Sequence, residues 1–141
     1  LVFVLLVALV LFGLSLYLER KVQAEFPPLK SPIGKMVEVD GVMLHLADHP
    51  AGPAADLLPI VFIHGASGNL RDLQAPLLGL LEGRGRLIFV DRPGHGYSQR
   101  GTSADIHTPW GQAKLVSGLL KELGIEKAII VVESVTSSLE E

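Results

Sequence analysis

Three short stretches carry the side chains able to do chemistry. Residues 64–68 read His-Gly-Ala-Ser-Gly, directly after Val61, Phe62 and Ile63. Residues 91–98 set Asp91, Gly94, His95, Gly96 and Ser98 directly after the apolar residues Leu87 to Val90. Ser134, beside Glu133, follows a third apolar run at residues 128–132. Serine, histidine and carboxylate groups are the parts of acyl-transfer hydrolysis. That reaction needs an activated nucleophile, a base, an acid to orient the base, and backbone N–H groups aimed at the developing oxyanion. Short apolar runs that feed glycine loops, alternating with helical patterns, indicate parallel strands covered on both faces. In such sheets the chemistry sits at the carboxyl ends of the strands.

The two glycine loops, in this order and at this spacing, resemble the α/β-hydrolase superfamily. There His-Gly-X-X-Gly follows the third strand and Asp-X-X-Gly-X-Gly-X-Ser the fourth. The resemblance runs from about Val37 to Val131 and implies the N-terminal half of that sheet, an antiparallel hairpin followed by parallel strands with flanking helices. It implies backbone N–H groups of Ala66 and Val135 as oxyanion donors, and Ser134 at the nucleophile position. It implies loop-structuring parts for His64, Gly65, Gly68, Asp91, Gly94, Gly96 and Ser98, a small-molecule acyl substrate, and neither cofactor nor metal. The segment 91–98 is also similar to epoxide hydrolases and haloalkane dehalogenases, which use an aspartate nucleophile.

Asp91, His95 and Ser98 lie too close in sequence to meet as a triad, whose members come from separate elements. An aspartate at a strand end beside glycine turns instead caps loop N–H groups. The superfamily's nucleophile turn, Gly-X-Ser-X-Gly, is broken: Val132 and Thr136 stand where glycines belong. Both are β-branched, the least tolerant type for a strained strand-to-helix turn. No helix, strand, aspartate or histidine of the family pattern follows. The expectation is a truncated or frame-shifted hydrolase, inactive by itself; the rival is a non-catalytic, membrane-associated remnant of the fold.

The positioning elements are legible from pattern. Met36, Val37 and Val39 precede Asp40-Gly41, and Val42, Leu44 and Leu46 follow, a hairpin signal over about 35–47. Strands are expected at 60–63, 87–90 and 128–132. A helix is expected over 70–82, with Pro76 starting or interrupting it. A second is expected over 109–123, opened by Thr108-Pro109 and stopped by Gly124.

The 141 residues hold at most one such domain. The net charge of −3 offers no basic field for nucleic acid, and the absence of cysteine excludes disulfides and thiolate chemistry. Residues 1–18 are almost wholly apolar, long enough as a helix to span about 27 Å, and are followed by Glu19, Arg20 and Lys21. The expectation is a single-pass membrane anchor over 1–18, then a Pro-rich linker over 19–34 and the partial hydrolase domain over 35–141. A cleaved signal, with a loose small-X-small site at Val22 to Ala24, is the alternative. The side of the membrane is left open.

Overall fold

The computed structural model describes the backbone of residues 2–25 and 34–134, with side chains assigned for most of them. These residues form two compact units, one within Leu1–Ser31 and one within Pro32–Glu141.

The first unit is a single helix, α1 (Val2–Glu25). It continues through Glu19, Arg20 and Lys21, so seven of the residues expected to begin the linker are helical. The backbone has no reason to stop where the apolar run stops, because Glu, Arg and Lys are good helix formers. Among the described residues no helix is long and apolar enough to cross a membrane. The apolar run begins in residues 1–7, whose side chains lie outside the described set. The expected membrane span therefore gains no support here. The remaining linker residues, 26–33, also lie outside the described residues.

The described residues of the second unit form a five-stranded mixed sheet with one helix on each face. Its elements are β1 (Lys35–Val39), β2 (Val42–His49), β3 (Ile60–Ile63), α2 (Leu70–Leu81), β4 (Leu87–Val90), α3 (Pro109–Glu122) and β5 (Ile129–Val132). The strand order is β1-β2-β4-β3-β5. The β1–β2 hairpin turns at Asp40-Gly41, where both residues have positive φ, 49° and 78°, as a two-residue hairpin turn demands. β2 pairs antiparallel with β4, while β3 pairs parallel with β4 and β5. The α/β arrangement with its antiparallel edge is the one expected, and β5 begins one residue later than read from sequence.

The chain passes from β3 to β4 in one direction and returns across β3 to β5. That reversal puts the two crossover helices on opposite faces. Strand alternation divides the core accordingly. Phe62, Phe89, Ile60, Leu87 and Ala47 pack with Leu70, Leu73 and Leu77 of α2. Leu44, Leu46, Val61, Ile88 and Val90 pack with Leu115 and Leu119 of α3. Phe62 and Phe89 stack with centroids 4.5 Å apart.

Pro76 lies inside α2 and neither starts nor interrupts it. The helix starts six residues earlier because Asn69 caps it. The Asn69 side chain accepts the Arg71 N–H at 3.0 Å, and the Asp72 carboxylate accepts the Asn69 N–H at 2.9 Å. α3 begins as read: Pro109 occupies the first turn and the Thr108 hydroxyl accepts the Gly111 N–H at 3.1 Å.

Candidate functional site

Parallel register sets the three loops level with one another. Ile63 pairs with Val90 and with Val132, so residues 64–69, 91–108 and 133–134 leave the sheet at the same edge. The loop after β3 leads to one face and the loop after β4 to the other. The crevice between them is the switch point where open α/β sheets bind ligands.

His64 bridges that crevice. It is buried, its Nδ1 lies 2.8 Å from the Gly65 carbonyl, and its Nε2 accepts the Arg92 N–H at 3.0 Å. An acceptor at Nε2 and a donor at Nδ1 define one neutral tautomer. Burial lowers the imidazole's pKa below its ordinary 6.5, opposed by the bond to the Gly65 carbonyl and reinforced by the nearby Arg92 charge. His64 is thus a neutral clasp between two loops and has no lone pair left for a serine.

Asp91 anchors a second, deeper network. Its Oδ1 accepts the N–H of Leu70, the first residue of α2, at 2.8 Å. Its Oδ2 accepts the Tyr97 N–H at 3.0 Å and lies 2.7 Å from His45 Nδ1. The Ser98 hydroxyl donates to the Asp91 carbonyl at 2.7 Å and accepts the His45 N–H at 2.8 Å. His45 and Asp91 are almost wholly inaccessible, at 2% and 1% exposed. Gly96 belongs to this network by what it lacks: with φ of 51°, a β-carbon there would run into the Asp91 carboxylate. Gly94 also takes positive φ, 77°, in the turn that brings the chain back to Ser98. Asp91, His95 and Ser98 do not converge as a triad, since His95 turns away to place Nε2 3.0 Å from the Ala66 carbonyl.

His45 is the residue that sequence reasoning passed over. A signal existed. It sits between Leu44 and Leu46 in a strand buried on both faces, where an ionisable ring must find a partner.

Of the residues tied to an oxyanion, Ala66 is exposed, and among the described residues its N–H has no hydrogen-bond partner. Gly65 N–H is taken: it donates to the Glu133 carboxylate at 3.1 Å. Glu133 N–H in turn donates to the Ile63 carbonyl at 2.9 Å, which continues the β3–β5 ladder by one residue. A carboxylate therefore occupies the loop where an oxyanion would need donors. Gly68 N–H closes the loop onto the Gly65 carbonyl. Ser134 is exposed, and no hydrogen bond joins it to a histidine among the described residues. Val135 lies outside the described residues.

No family model matches the chain. The rat protein ABHD14A is 35% identical over 81 residues, which cover 56% of this chain and 33% of that protein. An epoxide hydrolase of Caballeronia sordidicola is 27% identical over 95 residues, covering 67% of this chain and 27% of that protein. Among solved structures, the haloalkane dehalogenase DatA from Agrobacterium tumefaciens C58 superposes with a TM-score of 0.57 at 27% identity, over 70% of this chain and 31% of that one. The chain spans about a third or less of the length of the curated relatives it matches.

Proposed function

We propose that this chain carries the N-terminal portion of an α/β-hydrolase, as its similarities support, and with it one half of a hydrolase site: the oxyanion loop at 64–68 and the buttress at 91–98 that holds it. The reaction is hydrolysis of a small-molecule ester, amide or related acyl bond, with the free Ala66 N–H as oxyanion donor. The observation that carries this reading is the double tie between the loops, His64 to the Arg92 N–H and Asp91 to the Leu70 N–H. Electrostatic stabilisation of an oxyanion requires donors fixed before the reaction, and these bonds fix them. The Asp91 network and His64 act as positioning groups in this reading, without touching substrate.

Ser134 stands at the nucleophile position in this reading, yet among the described residues it has no base, and it is next to Glu133, whose charge opposes an oxyanion at the same loop. The 141-residue chain alone is therefore proposed to hydrolyse no ester. The similarity to an epoxide hydrolase and a haloalkane dehalogenase supports a second reading, in which the nucleophile is an aspartate. The apolar residues 1–18 are proposed to hold the domain to a membrane.

A graft tests the reading. Residues 61–98 of this chain replace the matching segment of the Caballeronia epoxide hydrolase. The graft is expected to retain epoxide hydrolysis and to lose at least tenfold in kcat on Ala66→Pro, which removes the donor. A graft with native circular dichroism and melting but no activity would overturn the proposal.

A further inference from the structure

A groove of about 630 Å³ runs between α3 and the β3–β5 side of the sheet. That lies within the range of small-molecule sites. Its walls are Ile63, Val90, Val116, Leu120, Ile130 and Val132, all apolar. Its polar lining groups are Arg92, His107 and Gln112, with Ser117 on the helix. Chain direction places the first three together. Arg92 follows the carboxyl end of β4, while His107 and Gln112 flank the amino end of α3, so the groove is cationic at that end and apolar below it.

The Arg92 guanidinium is under-used. Among the described residues its one side-chain hydrogen bond is a long one, 3.4 Å from Nη1 to Gln112, and its buried Nε has no partner. No Asp or Glu lines the groove, and no ion pair among the described residues includes Arg92. A guanidinium is a fixed fork of five N–H donors, and in half-buried Arg92 most of them are unused among the described residues. The amino end of α3, a helix of 14 residues, adds positive potential at the same place. From Pro109 to Leu120 the helix rises about 16 Å, which sets the depth of apolar wall below the cation.

We propose that this groove binds an apolar ligand with a single anionic head, a medium-chain carboxylate. The head pairs with Arg92, assisted by Gln112 and the amino end of α3. The tail lies along Val116, Leu120, Ile130 and Val132. The site stands apart from the hydrolase reading, because it concerns binding and needs no turnover.

The test is calorimetric titration of the full chain with decanoate and with decanol, which shares the tail without the charge. Decanoate is expected to bind one to one and at least tenfold more tightly than decanol. Arg92→Gln removes that preference and Arg92→Lys restores part of it. Ser117→Trp, which fills the groove from the helix side, weakens both ligands at least tenfold. Equal affinity for the two ligands in the wild type overturns the proposal, as does a preference that survives Arg92→Gln. Binding unchanged by Ser117→Trp overturns it too, by placing the ligand elsewhere, for instance on the apolar helix α1. Should a variant fail to fold, the wild type decides alone: decanoate must shift the Arg92 Nε–H resonance, and a resonance that stays fixed at saturation refutes the site.

Discussion

Replacing Asp91 by alanine strikes the bond set on which the two site loops depend. Three partners lose the carboxylate at once: the Leu70 N–H at 2.8 Å, the Tyr97 N–H at 3.0 Å and His45 Nδ1 at 2.7 Å. Hydrogen bonds to a charged group contribute roughly 1.5–3 kcal/mol each. Leaving a buried donor without its acceptor costs about 1–3 kcal/mol. The bonds share one carboxylate and do not add fully, so the expected loss is about 4 kcal/mol. Small domains hold only about 5–15 kcal/mol in total. The double variant Asp91→Ala with His45→Leu removes the stranded ring as well, and its cost is expected to fall at least 1 kcal/mol short of the sum of the singles. Urea unfolding of the full chain in mild detergent, followed by far-ultraviolet circular dichroism, measures all three. A loss below 1 kcal/mol for Asp91→Ala, or strict additivity in the cycle, would show that the network does not hold the loops.

Three further outcomes are expected. The His64 pKa lies below the ordinary 6.5, so stability from this site is full above that value and falls as pH drops below it, where only the unfolded chain takes the proton. Nuclear magnetic resonance titration checks this, and Arg92→Gln should move the His64 pKa upward; a midpoint at or above 6.5 in the wild type counts against the neutral clasp. Asp48, held at about 2 mainly by its bond to Arg86, contributes stability above the ordinary carboxylate value of 3.8 and loses it as pH falls toward 2. With solvent screening discounted this is about 1–2 kcal/mol, and Asp48→Asn should flatten acid unfolding over that window. Finally, residues 25–141 alone should aggregate through the open β5 edge, where Ile129, Ile130 and Val132 are 41%, 42% and 62% exposed; a monomeric elution profile with a sharp melting transition would contradict that.

Much of the fold was legible because local and global signals agree. Asp40-Gly41 between alternating runs specifies the hairpin, Thr108-Pro109 and Gly124 bracket α3, and the unbroken apolar runs at 60–63 and 87–90 can only be strands buried on both sides. The start of α2 was harder. Pro76 looks like a boundary, yet the cap at Asn69 with Asp72 three residues on outweighs one missing N–H. At the site, the glycine pattern located both loops. What binds them was hidden, because the bonds span 21 to 53 residues: Asp91 to Leu70, Asp91 to His45, Ser98 to His45. Glu133 reaching Gly65 is of the same kind, since nothing near either residue marks the pairing.

Whether Ser134 is activated decides the account most directly. A fluorophosphonate probe labels a serine only when a base and oxyanion donors act on it together. Incubated with the purified 141-residue chain, the probe is expected to leave Ser134 unmodified by intact-mass measurement, because no histidine bonds to it among the described residues and Glu133 occupies the Gly65 N–H. Stoichiometric labelling that disappears in Ser134→Ala would contradict this and make the chain a working serine hydrolase by itself.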